Sequence, residues 1–245
     1  MRPCLLLVIR NQESLLSSLL PCLTAMDIPI LVVDAGSQAI EAARLEETVS
    51  QQGIELIRLI GRSGKGIALR VGFDEAQRLG YTHVLQHDVD IAFDTSELQA
   101  LLTAAEQAPD TLFYSSYPQG SERKPGFAAH LARAVTGDRG LAQLKGGVTL
   151  LPLAPITRLL SQVTCCSGAG FTTEVLVRAS WRRLPIQGFP LTRLKTRHKR
   201  IGRLWDHAIQ LAMYGRLCLG GLVRAPVLSR RAWVRHHHHD EERRA

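Results

Sequence analysis

The sequence predicts an α/β fold: a mostly parallel central sheet with helices on its faces. Three observations predict it. Short apolar runs recur at residues 4–9 and 28–33, as expected of strands buried on both faces, and a third strand-like run, broken by Glu55 and Arg58, follows at 54–59. Between them lie segments with apolar residues at helical spacing, and strand–helix–strand alternation needs crossovers that leave neighbouring strands parallel. Each run also leads into a polar or glycine-bearing turn, so polar groups collect at the carboxyl edge of the sheet, where open α/β sheets bind ligands.

In chain order, residues 4–9 form the first strand, and Arg10, Asn11, Gln12 and Glu13 form the loop after it. Residues 14–24 carry Leu15, Leu16, Leu19, Leu20 and Leu23 on one helical face. The second strand, 28–33, ends at Asp34, Ala35, Gly36 and Ser37; a helix over 39–51 and a third strand over 54–59 follow. A glycine-rich basic loop comes next (Gly61, Arg62, Ser63, Gly64, Lys65, Gly66), then a helix over 67–79. The fourth strand runs from Tyr81 through Val84 and Leu85 towards Asp88 and Asp90. A helix over 95–107 has a capping region at Asp94, Thr95, Ser96 and Glu97. Beyond it the pattern predicts strands at 111–114, 148–151 and 188–194. It predicts helices at 128–134, 138–144, 154–160 and 171–183, and a loop at 119–126.

Asp88 and Asp90 are the densest chemistry in the chain. Side chains alternate along a strand, so two carboxylates at i and i+2 leave its end on the same side. Hard oxygen donors with little else nearby suit Mg²⁺ or Mn²⁺ completed by water and a substrate phosphate.

Composition narrows the partners. The 245 residues are 45% hydrophobic and 21% charged, which is globular, and the net charge is +8. Basic residues crowd between Arg178 and Arg203, a surface for anionic lipid or a phosphorylated substrate. Aromatics are only 5%, too few platforms for stacking bases, so nucleic acid ranks below those two. The five cysteines lack zinc spacing, and reduced thiols in a cytoplasmic protein are expected. The first apolar run is too short for a signal peptide. Residues 208–223 are almost wholly apolar, yet sixteen helical residues span roughly 24 Å against a hydrocarbon core of ~30 Å. An interfacial or core-packed helix is expected there. Peripheral attachment to the inner face of the membrane is expected too, through this segment and the basic patch before it. No G-x-x-x-x-G-K-[ST] phosphate loop and no G-x-S-x-G elbow occur.

Asp34, Lys65, Asp88 and Asp90 would share one edge of a parallel sheet, a place for a nucleoside diphosphate. Four segments at this point carry a resemblance. They are Val32-Val33-Asp34-Ala35-Gly36-Ser37, the run from Gly64-Lys65-Gly66 to Phe73, Val84-Leu85-Gln86-His87-Asp88-Val89-Asp90, and Gly170-Phe171-Thr172-Thr173-Glu174 onward to Ala179. In this order they resemble the family 2 glycosyltransferases of GT-A fold over about residues 4–200. The chain is similar above all to the branch of dolichyl-phosphate mannose synthases and bacterial lipid-directed enzymes. The resemblance implies a Rossmann-like GT-A domain over 1–200, here followed by a basic, apolar membrane-facing helical segment over 201–228 and a disordered tail over 229–245. It implies inverting sugar transfer from a nucleotide-diphospho-sugar to a lipid-linked or phosphorylated acceptor. The residues it points to for the donor are Ile9, Asn11, Val32, Asp34, Lys65, Asp88 and Val89. Asp88 and Asp90 would hold the Mg²⁺ or Mn²⁺, Asp88 would be catalytic, and Glu174 is the candidate general base. Some positions depart from the family: Arg10-Asn11-Gln12 replaces a P-x-Y-N-E segment, Ala35 replaces an aspartate, and Ala92 stands where a further metal contact is common. These departures leave room for a second class of function, a protein that binds nucleotide sugar or scaffolds a membrane assembly without turnover. A sugar nucleotidyltransferase is disfavoured, because no glycine-rich, arginine-bearing loop follows the first strand.

Overall fold

The structure is a computed structural model and describes residues 1–116, 127–138, 141, 144–162, 168, 170–196 and 212–220. Its strands are β1 (Pro3–Ile9), β2 (Ile30–Asp34), β3 (Glu55–Arg58), β4 (His83–His87), β5 (Ile91–Phe93), β6 (Leu112–Ser116), β7 (Leu144–Pro152), β8 (Ile186–Pro190) and β9 (Arg193–Thr196). Its helices are α1 (Glu13–Thr24), α2 (Ala39–Gln51), α3 (Lys65–Arg78), α4 (Thr95–Gln107), α5 (Phe127–Thr136), α6 (Leu153–Gln162) and α7 (Phe171–Trp181). A last helix, α8, covers 212–220.

Among the described residues seven strands form the main sheet, in the order β3-β2-β1-β4-β7-β6-β8. β3, β2, β1 and β4 are parallel neighbours, which the short β-α-β-α-β spacing predicts. β7 runs antiparallel between β4 and β6, and β6 and β8 are parallel. β5 and β9 pair separately as a small antiparallel ribbon.

Strand alternation splits the core into two layers. Leu5, Leu7, Ile9, Val32 and Leu85 face α1, α2 and α4, against Leu16, Leu20, Leu45 and Leu101. Cys4, Leu6, Leu31, Val33 and Val84 face the other side, against Leu69 and Phe73 of α3, Ile156 of α6, Phe171 and Val175 of α7, and Met213 and Leu217 of α8. Each such buried side chain contributes about 1.5–3 kcal/mol. Gly72 lets α3 lie close on β1, since a Cβ there would stand 2.6 Å from Leu6 Cδ1. α3 begins at Lys65, whose ammonium reaches Asp88 just past the end of β4.

Several boundaries differ from the sequence pattern. β4 stops at His87, and the backbone N–H of Ile91 donates to the Asp88 carbonyl at 3.0 Å, closing a turn over Asp88, Val89 and Asp90. The two carboxylates therefore project from a turn, and the strand-alternation argument for their common side does not apply. The single strand expected over 188–194 is two, β8 and β9, separated by Leu191 and Thr192. Thr192 N–H donates to Glu97 Oε2 at 2.6 Å, so Glu97 serves this corner, while Asp94 Oδ1 caps α4 at Ser96 N–H, 2.9 Å away. The helix expected over 138–144 lies largely outside the described residues, and Leu144 opens β7. The loop over 119–126 lies outside them entirely.

Of the apolar segment 208–223, residues 212–220 are described. Met213 and Leu217, one helical turn apart, are 1% and 0% exposed in the main core. Tyr214 meets Phe127 edge-on, with ring centroids 5.1 Å apart. A Cβ on Gly220 would stand 2.7 Å from the Trp181 ring, so α8 also lies tightly on α7. One side of this helix is thus committed to the protein, while Leu219 on the other side is exposed. Among the described residues no helix is long and apolar enough to cross a membrane.

Candidate active site

The carboxyl ends of β1, β2 and β4 build the site. Asp34 closes β2 and is 1% exposed. Its Oδ1 accepts from Ser37 N–H at 2.8 Å, and Arg58 Nε stands 3.8 Å from its Oδ2. Asn11, two residues past β1, adopts a left-handed backbone with φ of 52°, which asparagine tolerates better than most residues. It staples the loops together: its N–H donates to Ser37 Oγ at 2.9 Å, and its Oδ1 accepts from Gln38 N–H at 2.8 Å. Arg10 reaches across to the Ser63 carbonyl at 3.4 Å.

The β2–α2 and β3–α3 loops are in direct contact. Ser63 N–H donates to the Ala35 carbonyl at 3.0 Å. Gly36 has a φ of 86°, and a Cβ there would fall 1.9 Å from the Gly61 carbonyl oxygen. Gly36→Ala therefore combines left-handed strain with a backbone clash. It is expected to lower stability by about 2–4 kcal/mol and to weaken any ligand held between Asp34 and Lys65; urea unfolding and ligand titration check both.

Lys65 is the first residue of α3, with Gly64 as its N-cap. Its ammonium donates to Asp88 Oδ1, with side chains 17% and 11% exposed. Gln86 Nε2 donates to the same oxygen at 3.1 Å. The Asp88 N–H donates to the Gly147 carbonyl at 2.8 Å, tying the turn to β7; Gly147 adopts a φ of 101°, which glycine accommodates. Asp90 is 8% exposed and Val89 5%. His87 is buried beside them. Burial, against the pull of Asp88 and Asp90, pushes its imidazole down to about 4, so it is neutral at pH 7 and adds no charge to the turn.

The fold thus gathers Asn11, Asp34, Lys65, Asp88, Val89 and Asp90 at one edge. Ile9 and Val32, expected near the donor, are 1% and 0% exposed core residues; Val32 is paired on both sides, with β1 and β3, and the Ile9 carbonyl accepts from Ala35 N–H at 2.8 Å. Glu174 turns to other partners. It is fully buried, and its Oε1 accepts from Arg178 Nε at 2.9 Å and Arg178 Nη2 at 2.7 Å. Arg216 of α8 adds Nη2 contacts of 3.2 Å to both oxygens. Thr172, two residues earlier and therefore about 200° around the helix, is the α7 side chain that reaches Gln86, at 3.2 Å. Sequence reasoning gave Gln86, Thr149, Thr172 and Gly147 no role. Gln86 and Thr172 lie inside the segments that carry the family resemblance, and the local signal at Gly147 is its pairing with Gly146 in a strand pattern.

No group of three or more histidine, cysteine or acidic residues clusters among the described residues. Asp88 and Asp90 against Lys65 leave one net negative charge on the turn, so a diphosphate would meet repulsion unless a cation accompanied it. Two carboxylates with phosphate oxygens are a donor set that suits a hard divalent ion.

The family model described as Glycosyl transferase family 2 matches residues 5–152. No curated protein matches the chain. Among solved structures, a mannosyltransferase from Pyrobaculum calidifontis in complex with GDP-Man and Mn²⁺ superposes with a TM-score of 0.64 at 13% identity, over 89% of this chain and 64% of that one. The glucosyl-3-phosphoglycerate synthase of M. tuberculosis gives 0.62 at 19% identity, over 91% and 80%. Residues 1–349 of S. aureus TarS in complex with UDP-GlcNAc give 0.52 at 15% identity, over 83% and 60%. The chain therefore spans less than two thirds of the first and third of these proteins, and the similarity at such identities is one of fold.

Proposed function

Because the chain belongs to glycosyl transferase family 2, we propose that it transfers a sugar, with inversion, from a nucleoside-diphospho-sugar to a lipid-linked or phosphorylated acceptor, as in the lipid-directed, dolichyl-phosphate mannose synthase-like branch. The observation that carries the proposal is the convergence of Asp34, Lys65, Asp88 and Asp90 on one sheet edge, with the Lys65 ammonium on Asp88. Asp34 accepts a hydrogen bond from the nucleoside, as an acid after the second strand does in related sheets. Lys65 exchanges its partner, leaving Asp88 for the donor phosphates, a swap of one anionic ligand for another on a flexible stem. Asp88 and Asp90 would hold Mg²⁺ or Mn²⁺, which supplies positive charge for the leaving diphosphate. Val89 and Asp88 border the sugar. A phosphate acceptor is already an anion and needs no base, whereas a hydroxyl must lose a proton. The engagement of Glu174 by two guanidinium groups favours the phosphate acceptor and makes Glu174 a residue that orients α7. The net charge of +8 and the basic stretch up to Arg203 support attachment to an anionic cytoplasmic leaflet, with α8 contributing its exposed side at Leu219.

The test is a thermal-shift and calorimetric screen of UDP-, GDP- and TDP-sugars with and without Mn²⁺. One donor is expected to raise Tm by several degrees at saturating concentration, more with Mn²⁺ than without, and Asp90→Ala is expected to abolish the Mn²⁺ increment. No shift with any donor, or an increment unaffected by Asp90→Ala, would overturn the reading.

A further inference from the structure

We infer that Gln86 is a positioning residue: its side-chain amide, clamped by two threonine hydroxyls, holds the Asp88 carboxylate in its working orientation. The inference rests on the donor site proposed above. Gln86 lies on β4 and is 3% exposed, with its side chain on the α7 face of the sheet. Its Oε1 accepts from Thr149 Oγ1 of β7 at 3.0 Å and from Thr172 Oγ1 of α7 at 3.2 Å. Its Nε2 donates to Asp88 Oδ1 at 3.1 Å.

The direction of the amide follows from chemistry. A carboxylate only accepts, so the group facing Asp88 is the NH₂, and the carbonyl then faces hydroxyls that can donate. A flipped amide would set oxygen against carboxylate and lose the bond to Asp88, while its NH₂ could still donate to the threonine hydroxyls, so the contact with Asp88 fixes the direction. Asp88 Oδ1 thus receives two donors, the ammonium of Lys65 from one element and the amide of Gln86 from another. Two donors on one oxygen restrict the carboxylate torsions far more than one does. Partners of this kind set the orientation of ligating and reacting groups from the layer behind them. Thr172 sits in the first turn of α7 and Thr149 on the strand that also receives the Asp88 N–H through Gly147. Gln86 therefore ties the donor-side turn to β7 and α7 at one buried point.

Two substitutions separate positioning from packing. Gln86→Met keeps the volume and removes all polar bonds. Gln86→Glu keeps both threonine bonds and places a second carboxylate against Asp88. Each is combined with Lys65→Met, and urea unfolding at pH 8 is measured without ligand. If Gln86 orients Asp88 towards Lys65, Lys65→Met changes the unfolding constant at least fivefold less in the Gln86→Met background than in wild type. It changes it at least threefold more in the Gln86→Glu background, where two carboxylates share one ammonium. A residue that only packs gives additive effects in both backgrounds, and additivity overturns the inference. Calorimetry with Mn²⁺ and UDP or GDP is the second readout: Gln86→Met is expected to weaken binding by about tenfold, and unchanged affinity overturns the inference. If wild type binds neither nucleotide, the donor-site reading fails while the ligand-free cycle still decides the role of Gln86.

Discussion

Asp88→Asn is expected to lower sugar-transfer turnover by about 10²- to 10³-fold, the range seen when one electrostatic contact to a transition state is removed. Asparagine keeps the shape of aspartate, and its oxygen can still accept from Gln86 and Lys65, so the turn closed by Ile91 N–H should survive. What disappears is the negative charge. Without it the turn carries Asp90 against Lys65, close to neutral, and the site loses its preference for a diphosphate accompanied by a divalent cation. The Lys65 ammonium, freed of its ion pair, is attracted to the phosphates from the start. Nucleotide binding without Mn²⁺ should therefore hold or tighten while the Mn²⁺ dependence collapses. Release of nucleoside diphosphate from the donor identified by screening, followed against Mn²⁺ concentration, reads both effects. Turnover within threefold of wild type would remove Asp88 from the mechanism.

The second large effect is on stability. Glu174→Leu is expected to cost about 2–3 kcal/mol, because it leaves Arg178 and Arg216 facing an apolar side chain. Breaking a fully buried pair costs roughly 3–5 kcal/mol, and the smaller figure reflects Arg216, whose side chain is 45% exposed and can turn to water. Arg216 belongs to α8, so the loss should concentrate at that helix, and hydrogen exchange there should accelerate before the sheet is affected. Glu174→Gln retains an acceptor for both guanidinium groups and should cost less. The pair of variants also separates the two roles open to this residue. An α7-orienting Glu174 predicts lower Tm with turnover per folded molecule within a few-fold in Glu174→Gln. A general base predicts the reverse, intact stability and turnover reduced by 10² or more.

Much of this site was legible before any coordinates. Apolar runs and polar turns placed Asp34 at the end of β2, and the glycine spacing around Lys65 marked a helix start. α2 begins and ends where the periodicity put it, at Ala39 and Gln51. Gly72 stands inside the motif from Gly64 to Phe73, and the structure supplies its physical reason: a side chain there would meet Leu6, so the glycine lets α3 lie close on β1. The alternation rule does not reach the acidic pair, which lies one to three residues past the end of β4. Alternation was extended from β4 into Asp88 and Asp90, but β4 yields to a turn at His87, because the Ile91 N–H finds the Asp88 carbonyl and not a neighbouring strand.

The sequence by itself determined the order of strands and helices from β1 to β4, the parallel half of the sheet and the edge on which the acidic residues and Lys65 collect. All of these depend on spacing within a dozen residues, which periodicity and turn chemistry record. Only the tertiary structure decided which partner each polar group takes. Gln86 meets Thr172 across 86 residues of chain and Glu174 meets Arg216 across 42. Nothing in either local segment specifies the other. Such pairs exist because burial removes water as a partner, and each buried donor or acceptor must then be met by whatever group the packing of sheet and helices brings within reach.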